Sequence, residues 1–272
     1  MFKIRIKNML NRKASLLFLP YRVRMLLYKI DGWIYFKSAC LFNKPYFGTY
    51  LDACMQPLER LEVMKKLLEN ELKSESQTYK VLEVGSWGGH STILWASLCK
   101  KYQKGKVYCV DTWMSPENIP EHKKLVAKDK MFKFFLYNIR ASGVENYIIP
   151  IRGTSDETAE ILKEDEFDFV YIDGDHAYNQ VSKDLKNYSK LCKIGGIICG
   201  DDLPIMTTRD DLDEFFKKYS EENAARDPLT KINCCPGVFL AIKEFFGNDG
   251  VSMKDGFWAV RKSKEGWDKI EL

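Results

Sequence analysis

A chain of 272 residues, 45% hydrophobic and 29% charged, is long and apolar enough to bury one full core with an appendage. That excludes a peptide hormone, a disordered tail and a fibrous repeat. The net charge of +4 is uneven, because residues 1–37 hold nine Lys or Arg against one Asp (+8), leaving −4 on the remainder.

The basic head intersperses Phe2, Phe18, Tyr21, Tyr28, Trp33, Tyr35 and Phe36 among its cations. This composition suits a helical arm packed on the domain or on a second subunit, giving a homo-oligomer, or a segment lying on an anionic membrane surface. Nucleic acid is not expected, since the acidic body has no second basic cluster. No run approaches the roughly 20 apolar residues of a membrane span: 15–19 is cut by Pro20, Arg22 and Arg24, and no signal-type cleavage site follows. The eight cysteines contain no C-x-x-C pair and several sit in apolar runs, so free thiols in a reducing, cytoplasmic protein without structural zinc are expected, with peripheral attachment to the inner membrane face as the head's alternative. The expected organisation is an extension, 1–50, and one domain, 51–272, with an insertion at about 203–236.

Residues 57–72 predict an amphipathic helix opened by Pro57, with Leu58, Leu61, Met64, Leu67, Leu68 and Leu72 at helical spacing, and 73–78 a polar linker. Buried strands are then expected at 80–84, 107–111, 147–152, 167–173 and 196–199. Helices are expected between them at 90–98, 121–141, 155–162 and 178–191. Strict alternation implies parallel crossovers and a doubly wound α/β sheet, whose ligands bind beyond the carboxyl ends of the strands. A short helix at 212–219, a helix at 238–246 and a last strand at 257–261 complete the reading.

The first strand runs into Glu83-Val84-Gly85-Ser86-Trp87-Gly88-Gly89-His90, after which Ser91 and Thr92 open a helix. A dinucleotide fold wants glycine where Trp87 stands, and an indole there obstructs a pyrophosphate. No G-x-x-x-x-G-K-[ST] loop exists either, which removes the kinase and NTPase readings and leaves a nucleoside ligand without a phosphate chain. Asp111, 26 residues after Gly85, suits ribose hydroxyls. Trp113 could cover an adenine face, and Thr154, Ser155 and Asp156 could bond its rim. Alone, Asp111 reads as a helix cap and Trp113 as a core aromatic.

The stretches 81–92, 110–113 (Val-Asp-Thr-Trp), 167–176 (ending Ile-Asp-Gly-Asp-His) and 193–196 (Lys-Ile-Gly-Gly) resemble the class I S-adenosylmethionine-dependent methyltransferases. More narrowly, they resemble the branch with macrolide and rhamnosyl sugar O-methyltransferases and cephalosporin-hydroxylase-like proteins. The resemblance covers roughly 58–262. It implies a Rossmann-like seven-stranded sheet with a basic N-terminal helical extension, and a cofactor site of Glu83, Gly85, Ser86, Trp87, Gly88, Gly89, Ser91, Asp111, Thr112, Trp113, Thr154, Ser155, Asp156 and Asp173. The glycine loop would hold the methionine part, Asp111 the ribose.

Independently, Asp173 ends the fourth strand and Asp201 and Asp202 follow the fifth. Neighbouring strands lie about 4.8 Å apart, so these carboxylates can converge, and an all-oxygen set suits Mg²⁺; as separate residues they would merely cap helices. An alcohol acceptor is a poor nucleophile until deprotonated, and His176, three residues after Asp173, is the expected general base. His122 lies in a Lys-rich stretch and His90 within the glycine loop. Two departures from the sugar-methylating relatives stand out: many carry His where this chain has Asp201, and the segment after the fifth strand is long. That insertion, with Met206, Thr207, Thr208, Arg209 and the Cys234-Cys235 pair, is expected to form an acceptor lid. The competing readings are an RNA or protein methyltransferase, against which stands the absence of an Asn-Pro-Pro-Tyr-type signature, and a non-catalytic cofactor-binding scaffold.

Overall fold

The computed structural model describes residues 21–48, 57–74, 78–114, 127–203, 212–227 and 229–272. Two compact units are distinguished, Met1–Met55 and Gln56–Leu272. In the first, helix α1 (Tyr21–Leu41) carries the described part of the basic head. Tyr46 is buried there, with its ring 5.2 Å from Tyr35 and 5.4 Å from Phe36 and its hydroxyl donating to Gly32 O. Leu26, Ile30, Trp33 and Ile34 are exposed along the same helix. No helix among the described residues is long and apolar enough to cross a membrane.

The second unit opens with α2 (Leu58–Ser74), whose Val63, Met64, Leu67, Leu68 and Leu72 are buried as the helical spacing requires. Alternation follows: β1 (Lys80–Val84), α3 (His90–Tyr102), β2 (Lys106–Asp111), α4 (Lys130–Ala141), β3 (Ile148–Arg152), α5 (Ser155–Ile161), β4 (Phe167–Ile172), α6 (Tyr178–Leu191) and β5 (Cys192–Gly200). The chain continues with α7 (Leu212–Lys218), a hairpin of β6 (Ala225–Arg226) and β7 (Asn233–Cys234), α8 (Pro236–Phe246), then β8 (Ser252–Lys254), β9 (Phe257–Lys262) and β10 (Trp267–Lys269). The strands run β10-β9-β5-β4-β1-β2-β3, parallel from β5 to β3, with β9 antiparallel to β5. The sheet has eight strands rather than seven, because β8 and β10 both pair with β9 and share the outermost position. The hairpin and these two strands are too short to leave a period in the sequence. Residues 115–126, in which the expected 121–141 helix begins and His122 lies, are outside the described residues, as are Met206, Thr207, Thr208 and Arg209 of the expected lid.

Strand periodicity places helices on both faces. Leu82, Val84, Val170, Ile172 and Ile198 share one core cluster with Val181, Leu185 and Tyr188 of α6 and Val238 and Ala241 of α8. The alternate residues Phe169 and Tyr171 meet Trp95 of α3 at 5.2 and 5.5 Å. Buried thiols help fill the core, with burial pushing Cys99 of α3 and Cys192 of β5 up to about 12. Consecutive strands are in register, Val84 opposite Val110 and Ile172, so Gly85, Asp111 and Asp173 leave the sheet side by side. The order reverses between β1 and β4, which makes this the crevice where such sheets bind ligands.

Candidate active site

The glycine loop is held from three sides. Asp111 accepts from Trp87 N (2.7 Å) and Trp113 N (2.5 Å) through its two oxygens, Trp113 Nε1 donates to Trp87 O (3.0 Å), and Asn138 Nδ2 donates to Gly88 O (2.8 Å). Asn138 is fully buried on α4 and escaped the sequence reading, because a polar residue within an amphipathic stripe resembles a solvated position until its partner is placed. Asp111 thus has a loop-fixing duty. Trp113 corrects an expectation: it is 1% exposed, its ring 4.6 Å from Phe132 and 4.8 Å from Phe135, so it packs the loop from beneath rather than offering a face to adenine. Thr112 closes a local turn with Met114.

Glu83 is completely buried. Its Oε2 accepts from Ser86 Oγ (2.7 Å) and from Thr92 Oγ1, so Glu83 organises the loop from within. Burial lifts its carboxyl to about 7 against the opposing pull of the Thr92, Ser91 and Ser86 hydroxyls. The folded state therefore holds this proton more tightly than the unfolded chain, so this group's contribution to stability is full below pH about 4.5 and is lost as pH rises through about 7. Glu83→Gln is expected to flatten that slope by about 3 kcal/mol. Urea unfolding at pH 5 and pH 8.5 checks it, and an equal slope in both proteins would reject the assignment. Ser91, itself buried, stands in the first turn of α3, where Gly89 is the N-cap without a side-chain cap.

Thr154 also departs from expectation: its hydroxyl caps α5 in a reciprocal box with Glu157 and is committed to the helix end. Ser155 Oγ and Asp156 Oδ1 accept from Gln180 Nε2 at 3.1 and 3.3 Å, which ties α5 to α6 at the crevice edge.

The three expected acids lie at one edge of the sheet and are linked pairwise through Tyr171, Arg60 and His176. The buried hydroxyl of Tyr171 donates to Asp173 Oδ2 at 2.9 Å and reaches Asp201 Oδ2 at 3.4 Å. His176 Nε2 lies 3.5 Å from Asp173 Oδ1 and 3.4 Å from Asp202 Oδ2, with its backbone N–H bonded to Asn223 Oδ1. Arg60 was missed by the sequence reading. It forms an ion pair with Asp201, sits 3.3 Å from Asp202 Oδ1, and donates through Nε to Asp255 O. The available signal was its place four residues before the buried Met64, on the inward stripe of α2. Asp201 is consequently the least open of the three, its side chain 1% exposed against 15% for Asp173 and 33% for Asp202.

The electrostatics mark surplus negative charge. Burial and the neighbouring Asp173 and Asp202 push the Asp201 carboxyl up to about 7 even with Arg60 beside it, and burial raises Asp173 as well. Burial works against a charged His176, but Asp173 and Cys235 outweigh it and hold the imidazole well above its ordinary value. Asp173 and Asp202 keep partly open carboxylates that would offer oxygen ligands to a hard divalent cation, whereas Asp201 is held by Arg60.

The glycine loop and the acid cluster are in direct contact. Gly85 has φ +90°, and a Cβ there would lie 1.9 Å from Asp173 O. A family model described as a methyltransferase domain matches residues 82–203, from β1 through the Asp201-Asp202 pair. These residues are a methyltransferase domain. The methyltransferase domain and its flanks are similar in fold to a candidate caffeoyl-CoA O-methyltransferase from Staphylococcus aureus, with 16% identity over 89% of this chain and 98% of that one and a TM-score of 0.52. The O-methyltransferase NovP is similar over 76% of this chain and 81% of its own, with 15% identity and a TM-score of 0.51. No curated protein sequence matches the chain.

Proposed function

We propose that the methyltransferase domain transfers a methyl group from S-adenosylmethionine to a hydroxyl of a sugar, a glycan or a glycosylated small molecule, with Mg²⁺ at the acid cluster. The observation that carries this reading is the contact between Gly85 and Asp173, which sets a nucleoside-type loop against an imidazole and three carboxylates. S-adenosylmethionine supplies an electrophilic methyl on its sulfonium, and Mg²⁺ at Asp173 and Asp202 would acidify the acceptor hydroxyl. The chain's own residues do the rest. His176 Nε2 takes the hydroxyl proton as the oxygen bonds to the methyl carbon and the carbon–sulfur bond breaks, leaving a neutral thioether. Asp173 and Asp202 stabilise the imidazolium, while Tyr171 and Arg60 hold those carboxylates in place. A sugar suits the site because vicinal hydroxyls offer two hard oxygens to such a centre.

The test is transfer of labelled methyl from S-adenosylmethionine into fractionated host extract, with Mg²⁺ and with chelator. Magnesium-dependent label in an oligosaccharide or glycolipid is expected. Label in RNA or protein would overturn the acceptor class, and cofactor binding without any label would favour a scaffold. The rate is expected to rise with pH as His176 loses its proton and then to reach a plateau. His176→Ala is expected to lose about 10²–10⁴-fold and the plateau with it; an unaltered profile reassigns the base.

The head supports a second element of this reading, attachment to an anionic membrane surface. Nine cations in residues 1–37 accompany exposed Leu26, Ile30, Trp33 and Ile34 on α1. Deleting residues 1–37 is expected to abolish co-sedimentation with phosphatidylserine vesicles, and retained binding would sink the idea.

A further inference from the structure

We infer that His176, Asp202 and Cys235 form a binding site for Zn²⁺ that shares two residues with the proposed catalytic machinery and is distinct from the all-carboxylate set. One ligand atom from each of the three lies within 4.8 Å of the other two. A four-coordinate zinc with bonds of about 2.0–2.3 Å spaces its ligands by roughly 3.5 Å, a difference that side-chain rotation covers. The buried His176 Nε2 has Asp173 Oδ1 and Asp202 Oδ2 3.5 and 3.4 Å away but neither in hydrogen-bonding geometry, which leaves its lone pair for a metal.

Cys235 is delivered by the fold. It is the N-cap of α8 and its side chain makes no capping bond. The first turn of α8 lies directly on the backbone after β4: a Cβ on Gly237 would stand 2.3 Å from His176 O and 2.4 Å from Tyr178 N. Its neighbour Cys234 turns the other way, with Sγ 3.6 Å from Ala225 O across the β6–β7 hairpin. Only one of the adjacent cysteines therefore faces the imidazole.

The donor set decides the cation. Sulfur with imidazole and a single carboxylate selects Zn²⁺ over Mg²⁺, and three protein ligands leave a fourth position for water. On binding, the Sγ–H proton passes to solvent as the sulfur–zinc bond forms. Zinc on Nε2 also occupies the lone pair that a base needs, so the site is inhibitory. That consequence rests on the proposed role of His176; the binding itself does not.

Co²⁺ titration of the full chain, with Zn²⁺ as displacing ion, tests the site. Expected are one equivalent of Co²⁺ with thiolate-to-metal absorption, bleached by stoichiometric Zn²⁺ but not by about a thousandfold excess of Mg²⁺. The absorption is expected to vanish in Cys235→Ala and persist in Cys234→Ala. In the unmutated chain, Zn²⁺ is expected to protect Cys235 from iodoacetamide, read by peptide mass, so the result does not depend on a variant folding. Absence of the absorption, its survival in Cys235→Ala, displacement by Mg²⁺ or unprotected alkylation would each overturn the site. A pH profile unchanged in His176→Ala would reject the base, while Co²⁺ absorption and Zn²⁺ protection of Cys235 in the unmutated chain would still support the site.

Discussion

Asp173→Ala is expected to lose methyl transfer by about three orders of magnitude while S-adenosylmethionine still binds. The carboxylate is the group that Tyr171 orients at 2.9 Å and that faces His176 at 3.5 Å, so its removal takes away the imidazolium's partner and a principal cation donor. The contact with the glycine loop runs through the backbone carbonyl of Asp173, which alanine retains. Because burial together with the neighbouring Asp202 raises the Asp173 carboxyl, and burial with Asp173 and Asp202 raises that of Asp201, deleting the Asp173 charge also relieves repulsion, and the variant is expected to melt no lower than the parent. Asp173→Asn separates charge from packing, since it keeps an acceptor for Tyr171 without the charge. Single-turnover transfer, calorimetric cofactor titration and a melting curve check all three points. Unchanged turnover in both variants would remove Asp173 from the chemistry.

Gly85→Ala is expected to fail more broadly, losing cofactor binding and more than about 4 kcal/mol of stability. The added Cβ would meet Asp173 O at 1.9 Å, Asp173 C at 2.5 Å and Gly174 Cα at 2.7 Å, all main-chain atoms of β4's exit that no rotamer change can move. Gly195 is the comparison. It also has positive φ, +86°, but nothing lies within 4 Å of its Cβ position, so Gly195→Ala is expected to carry only the left-handed cost of about 1–2 kcal/mol. Similar losses in the two variants, measured by urea unfolding, would show that the close approach at Gly85 contributes little.

The alternation of buried strands and amphipathic helices was legible because each element declares itself through a local period. Tyr178–Leu191 and Lys80–Val84 coincide with the segments their own residues indicate. The glycine loop and the acids at 173, 201 and 202 were legible for a similar reason, since residues at strand ends in a doubly wound sheet must gather at one edge. The local chemistry of Thr154 was ambiguous, because a Thr with Glu three residues on caps a helix as readily as it meets a ligand.

By itself the sequence determined the order of elements, the edge of the sheet that carries the chemistry, and the residue types gathered there. Only the tertiary structure decided what each of those residues does. Arg60 lies 141 residues before Asp201 and Cys235 lies 59 after His176, and neither distance leaves any periodic trace in the chain. Trp113 became a core residue through the rings of Phe132 and Phe135, and Asp201 became the partner of a guanidinium through the packing of α2. Local periodicity encodes which face of an element is buried. Partner identity depends on which elements meet, and that is fixed only when the whole core closes.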